Sequence, residues 1–307
     1  MPEMLTKAER EQLDAFVKEI NWNDPYCPKR RAFATKVKES VLEDIYTQDL
    51  VPLMADIRNF GPGEEIQFAT TEGLVAYVIE PGSFAPRSQL TQTVTTLPKK
   101  TITVATELDI NQVRSGRYGT VSDIKKKALE QILGARNAML WKVAYQAVTS
   151  STTNGNYATV ASGATTATKK AAIDTALTYL DDYTSNGAKA IIGRFSSLSF
   201  FEDLDYQTLP DSMREDIYRR TGLLGYYKNV PVVRLKSFKD PYGVQLISAN
   251  YILVIGEGVL KFGVQDPGLE VYENFKGTTT RSIEWAWFLD CGAASVESQR
   301  IYEIQLT

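Results

Sequence analysis

No histidine occurs anywhere in the 307 residues. That absence removes Ser-His-Asp and Cys-His nucleophile pairs, HExxH metal sites, zinc-finger ligation and histidine general bases in one step. Cysteine is scarce too: Cys27 and Cys291 lie at opposite ends of the chain and form no CxxC pair, so a metal knuckle or redox motif is excluded and two buried free thiols are expected. No stretch approaches the roughly 20 apolar residues that a membrane helix needs. The opening MPEMLTKAEREQLDAF carries early acidic residues and no apolar run of a secretory signal, so a cytoplasmic product is expected. Neither charge dominates, with 34 Lys plus Arg against 37 Asp plus Glu and a formal net charge of -3. A broad basic footprint for tight duplex binding is therefore missing. No internal repeat of 20 to 50 residues is present.

What is present is the composition of an ordinary globular protein, 43% hydrophobic and 23% charged. Thr6 and Glu9 fit a capping box ahead of Leu13, Phe16, Val17 and Ile20, which predicts an amphipathic helix over 7–20. A second helical stretch, with Val37, Val41 and Ile45 on one face, should end before Pro52. The GPGE at 61–64 then opens two β-rich runs around Thr71-Glu72-Gly73, read as a hairpin. The Thr-rich FAPRSQLTQTVTTLP that follows has too few large apolar residues to bury itself and should lie on a neighbour. Residues 59–97 are expected to gain their order from such a neighbour.

Strict alternation over 99–111, with Ile102, Val104, Leu108 and Ile110 on one face, predicts a half-buried strand. After a turn at Ser115-Gly116 and Gly119, Thr120 and Asp123 form a second capping box. The stripe Ile124, Ala128, Leu129, Ile132, Leu133, Leu140, Ala144 and Val148 then predicts a helix over 121–149, on the order of 43 Å long at 1.5 Å per residue. SSTTNGNYATVASGATTATKK reads as a loop or short ribbon, and a boundary is set there. Beyond it, a helix around Ala172–Leu180, strands at 188–194 and 230–235, a short helix at 196–205 and a turn at Asp240-Pro241-Tyr242-Gly243 form an α/β unit. Two strands flank Gly256-Glu257-Gly258, and three β segments close the chain, including the alternating Ile283, Trp285, Trp287 and Leu289.

This succession resembles the HK97-fold capsid family of tailed double-stranded DNA phages along nearly the whole chain. GEEIQFATTEGLVAYVIEPGSFAPRSQLTQTVTTLPKKTITVATELDINQV is similar to the family's extended E-loop and the strand behind it. TGLLGYYKNVPVVRL is similar to its recurrent Gly-loop and Pro-Val-Val strand. The resemblance implies an α+β fold with an N-terminal arm at 1–57, the E-loop at 58–98, a P-domain strand and spine helix at 99–160, an A-domain at 161–265, and closing P-domain strands at 266–307. The implied protein is a non-enzymatic major capsid protein that self-assembles through pentamers and hexamers into an icosahedral head around double-stranded DNA. Its implied partners are itself, scaffolding, portal and decoration proteins, and the genome without sequence-specific contact. The implied location is the virion, assembled in the host cytoplasm.

Two departures matter. No lysine occurs from Asn59 to Pro98, so the isopeptide crosslink that a family member makes from a lysine on this loop is not expected. The N-terminal part is too short for a large fused scaffolding segment, which leaves a separate scaffold or a self-sufficient arm. An encapsulin-like nanocompartment enclosing a cargo enzyme is the alternative reading, and a surface β-protein is a more distant one.

No catalytic, cofactor-binding or metal residue is assigned. Lys29-Arg30-Arg31 and Lys125-Lys126-Lys127 read as solvated faces before DNA contacts. Glu64-Glu65, Asp181-Asp182 and Glu202-Asp203 read as surface carboxylates. Gly61-Pro62-Gly63 and Gly256-Glu257-Gly258 are turn glycines, not phosphate loops, and Trp285 with Trp287 reads as an inward strand face.

Overall fold

The structure is a computed structural model that describes residues 49–72, 91–109, 118–148, 155–161, 163–183, 187–201, 223–240, 242–276 and 282–307. The expected helix over 7–20, the helical stretch around Val37, Val41 and Ile45, Cys27, Lys29-Arg30-Arg31, the β run after Gly73, the turn at 115–116 and the 202–205 end of a short helix lie outside those residues.

Helix α1 (Val51–Met54) leads into β1 (Asp56–Phe60), followed by β2 (Gln67–Glu72), β3 (Thr91–Thr96) and β4 (Lys99–Asp109). Pro52 stands in the first turn of α1, where a missing N–H costs nothing. The long helix α2 (Tyr118–Ala147) has 30 residues, about 45 Å. It starts two residues before Thr120, so the expected cap lies inside its first turn. Strand β5 (Tyr157–Val160), α3 (Thr166–Tyr183) and β6 (Ala188–Arg194) follow, then α4 (Phe195–Leu198) with a single 3₁₀ turn over Ser199–Phe201. The chain continues through β7 (Leu223–Tyr227), β8 (Val230–Leu235), β9 (Tyr251–Gly256), β10 (Leu260–Lys276), β11 (Ser282–Ser295) and β12 (Ile301–Leu306).

Three sheets result: a four-stranded one in the order β1-β10-β11-β4, a six-stranded one in the order β5-β12-β9-β6-β8-β7, and the ribbon β2-β3. The six-stranded sheet is buried on both faces. On one face Ala190, Ile192, Val233, Leu235, Leu253, Ile255 and Ile301 pack with α1 and with Ala138, Leu140, Trp141 and Ala144 of α2. On the other, Ile191, Val232, Ile252, Val254 and Ile304 meet Ile173, Ala176, Leu177 and Leu180 of α3. Two-sided burial explains why these strands read as continuous apolar runs, whereas β4 alternates exposed and half-buried residues.

Pairing sorts the expected strands between sheets. Those around Gly256-Glu257-Gly258, β9 and β10, part into different sheets, and that turn carries the chain from one sheet to the other. Of the closing segments, β11 pairs with both β10 and β4, while β12 inserts between β5 and β9. Within the Thr/Ala-rich stretch, expected as a loop or short ribbon, Tyr157–Val160 forms an edge strand parallel to β12, and Thr165 accepts the Thr168 N–H at 3.4 Å as the cap of α3. Thr and Ala gave that edge no apolar signature. One expectation is corrected: the hairpin partner of 67–72 is 91–96, so the chain runs extended through Thr71-Glu72 with no turn there.

Strand β7 was not anticipated. Lys228 and Asn229 adopt φ of 48° and 66°, the two positive angles of a tight hairpin turn, and join β7 to β8.

Candidate assembly surfaces

The ribbon β2-β3 stands on a small cluster of its own, formed by Phe60, Ile66, Phe68 and Leu97. Phe60 and Phe68 meet edge-on with centroids 5.8 Å apart, and the Leu97 N–H donates to the Ile66 carbonyl at 2.8 Å. The foot is fitted to the four-stranded sheet through two glycines that face each other across β10 and β11, Gly263 and Gly292. A Cβ on Gly263 would lie 2.1 Å from Cγ2 of Ile66, and one on Gly292 would lie 3.1 Å from Cβ of Leu97. Only hydrogen at both positions lets the foot sit this close. Above the foot the strands are polar and open: Gln92, Thr93 and Thr96 are exposed, as is Val94 at 53%. Both ribbon edges lack a third strand among the described residues. Such edges are templates for pairing or packing with another chain.

The root of the N-terminal segment is fastened by charge. Asp49 accepts from Nη2 of Arg136 on α2 at 2.8 Å, with side chains only 7% and 5% exposed. The same carboxylate accepts the Val51 N–H at 3.1 Å and so starts α1. The Arg136 guanidinium also lies over the Phe262 ring, 5.0 Å from its centroid. Seven residues along, Asp56 binds Lys189 of β6 and, at 2.7 Å, Lys261 of β10. Burial raises the Asp56 carboxyl's pKa, but the hydrogen bonds from the two lysines outweigh it and hold it below the ordinary value. One carboxylate thus ties the six-stranded sheet to the four-stranded sheet at the base of the segment.

A polar patch interrupts the core where α2 ends against β12. Glu303 is 3% exposed, and burial raises its pKa to about 7. Nearby Tyr145 and Tyr251 meet edge-on at 5.0 Å. Their hydrogen bond raises the Tyr145 pKa to about 12. Gln305 donates to the Tyr251 hydroxyl at 3.3 Å and accepts from Tyr157. Asn156 is fully buried, with its amide donating to the Ile301 carbonyl at 3.1 Å. This patch pins β5 and β12 to the sheet.

Among the described residues, those singled out in the sequence do not converge. Glu64 closes the turn at 61–64 by accepting the Gly61 N–H at 2.9 Å, and Glu65 accepts from the Gln67 amide at 2.6 Å. Asp181, Asp182 and Lys127 are exposed. Trp285 and Trp287 are inward, 3% and 0% exposed, with rings edge-on at 6.2 Å. Cys291 is a buried free thiol whose pKa burial raises to about 12. Among the described residues no group of three or more Cys, Asp or Glu is placed to hold a metal, and no helix is long and apolar enough to cross a membrane. The sequence reading missed Arg136, whose only signal is a charge at a position of α2 surrounded by apolar neighbours.

No protein-family model and no curated protein sequence matches the chain. Solved structures do. The head structure of Helicobacter pylori bacteriophage KHP40 matches with a TM-score of 0.57 at 10% identity, over 85% of this chain and 91% of that one. The capsid of cyanophage P-SCSP1u matches with a TM-score of 0.55 at 10% identity, over 83% and 86%. The mature capsid of bacteriophage PhiM1 matches with a TM-score of 0.52 at 12% identity, over 84% and 87%. At such identities the likeness is one of backbone path. The chain carries the α+β, HK97-like fold of phage capsid subunits.

Proposed function

We propose that the chain is the major capsid protein of a tailed double-stranded DNA phage, assembling through pentamers and hexamers into an icosahedral head in the host cytoplasm. The observation that carries this reading is the fold likeness to capsid and head subunits over 83–85% of the chain. The two-stranded ribbon supports it. In this reading β2-β3 belongs to the E-loop, α2 is the spine helix of the P-domain with the four-stranded sheet, and the six-stranded sheet is the A-domain. The A-domain then takes in β5 and β12, and the arm is the 1–57 segment that the resemblance implies. Work is done by association: interfaces on the order of 2,000 Å² per subunit, repeated over a closed shell, give strength without catalysis. The histidine-free sequence supports a structural role. Scaffolding, portal and decoration proteins are the expected partners.

The test is expression of the full chain followed by sedimentation and negative-stain microscopy, with and without a crowding agent. Closed shells, or isolated pentamers and hexamers, are the expected products. A chain that stays monomeric in both conditions and with phage-lysate scaffold fractions added would overturn the reading. Native particles holding a protein cargo and no DNA would replace the phage head with a nanocompartment.

A further inference from the structure

The sequence marks a turn at 240–243, and the side chains beside and beyond it are bare. Three of the nine large apolar side chains exposed among the described residues fall within five positions there: Tyr242 at 91%, Val244 at 58% and Leu246 at 37%. Single exposed apolar residues are ordinary on a surface, whereas a contiguous group marks a contact.

Hydrogen bonds hold this tip in one shape. Asp240 Oδ1 accepts the N–H groups of Tyr242 at 2.9 Å and Val244 at 2.8 Å. The Asp240 N–H donates to the Val244 carbonyl and the Gly243 N–H to the Asp240 carbonyl, both at 2.9 Å. Gly243 has a φ of 81°, which glycine adopts without strain. At the root, the Phe238 carbonyl accepts the Leu246 N–H and the Gln245 amide, each at 3.0 Å. The Phe238 ring rests on α2 at Gly134, where a Cβ would meet it at 2.5 Å. A tip ordered in advance loses little entropy when a partner covers it, and tyrosine is among the residues that dominate binding energy.

The same sheet carries a space that an aromatic ring fits. Strands β6 and β8 run parallel, and at their carboxyl ends lies an open cleft of about 350 Å3. Pockets that hold small molecules start near this size, at about 300 Å3. Its lining includes Phe195, Ser196, Leu235 and the cations Arg194 and Lys236, and no acid. Phe195 is 43% exposed, with the Arg234 guanidinium already engaged over its ring at 5.4 Å. Ser197 Oγ fixes the turn into this wall by donating to the Arg194 carbonyl at 2.8 Å. A phenol ring entering the cleft would cover Phe195 and offer its negative π face to the Lys236 ammonium. The cations repel a basic side chain. Tyr242, 91% exposed, does not fill the cleft of its own chain.

We propose that the tip around Tyr242 and Val244 of one copy seats in the cleft at Phe195 and Lys236 of a second copy. A projection and a recess at different places on one surface join copies head to tail, and such contacts close into rings. The inference rests on the shell reading for the supply of neighbouring copies, and adds to it a particular contact.

The experiment uses cysteine pairs in the full-length chain, in a Cys27→Ser background with Cys291 left as a buried thiol. V244C protein and S196C protein are mixed under the assembly conditions and mildly oxidised. A disulfide forms only where the two Cα atoms come within about 7 Å. A linked pair is expected in the mixture and in neither protein alone, with the 244–196 junction found by mass spectrometry. Tyr242→Ala added to V244C should lower the linked fraction about tenfold, whereas Tyr242→Phe should leave it unchanged. Melting midpoints should not move, since the side chain touches almost nothing in its own subunit. Links between two V244C copies, tip against tip, would overturn the proposal, as would linking that ignores Tyr242→Ala. Shells are scored on the same samples. Shells without the 244–196 link sink this proposal alone, and linked rings that never close into shells, even with phage-lysate scaffold fractions added, sink the shell reading alone.

Discussion

The six-stranded sheet and the two-stranded ribbon are both made of β-strands, yet their energetic situations are opposite. In the sheet, β6, β8 and β9 bury side chains on both faces, against α2 on one side and α3 on the other. At roughly 25 cal/mol per Å² of apolar surface, such burial can offset the entropy of ordering the strands. The ribbon has only its foot of Phe60, Ile66, Phe68 and Leu97, and above that it shows threonine and glutamine to solvent. A two-stranded hairpin of this kind is marginal alone in water. The contrast teaches that the body is built to be stable as a subunit, whereas the ribbon's polar length has little among the described residues to hold it.

The sharpest way to test that division is to damage the body. Trp287→Ala removes a fully buried indole from β11 and should destabilise the subunit by about 3–5 kcal/mol, read as a lower urea midpoint. Asp49→Ala leaves Arg136 buried without its carboxylate. A loss of about 3 kcal/mol is expected, and a midpoint shift as small as a surface mutant's would show that the segment root is not fastened as described. The glycine socket comes next. Gly263→Ala drives a methyl into Ile66, costs about 1–3 kcal/mol by overpacking, and should disturb shell formation more than its effect on melting suggests.

Glu303 probes the body by pH. Its folded pKa of about 7 lies above the ordinary 4.5, so between those values the folded state binds more protons than the unfolded one. Stability contributed by the neutral acid is therefore complete below about pH 4.5 and is lost as pH rises through about 7. Glu303→Gln should raise stability at pH 8 by at most about 3 kcal/mol, at 1.4 kcal/mol per pH unit, and by little at pH 4. Urea midpoints at pH 4, 6 and 8 check the sign; a variant curve parallel to the parent's would refute it. The smallest stability effect belongs to the ribbon. Val94→Asp, at a residue 53% exposed, should change subunit stability by less than about 0.5 kcal/mol while reducing shell yield. Unchanged yield would remove Val94 from the proposed contact.

Much of this division was legible in residues. VPVVRL at 230–235 and AKAIIGR at 188–194 were identified as strands with their observed bounds, because short apolar runs between turn residues leave little alternative. The apolar stripe of α2 was legible within a few residues at each end. The polar length of 91–96 was legible as chain unable to bury itself, and its burial pattern agrees. Partnership was less legible. Nothing in YILVIGEGVLKFGV says that its two strands separate, since a tight Gly-Glu-Gly turn looks the same whether it closes a hairpin or carries the chain to another sheet. Arg136, Asp49 and Asp56 gave no sign of their pairing, because ion pairs across 87 or 133 residues leave no local pattern.

By itself the sequence determined which segments are helix or strand, which faces are apolar, and that histidine chemistry is excluded, because these depend on side-chain identity and spacing over a few residues. Only the tertiary structure decided that β12 joins β9, that β10 leaves it, and that Gly263 and Gly292 seat the ribbon. Those outcomes depend on contacts between residues distant along the chain, where the energy of packing selects among pairings that local spacing leaves equivalent.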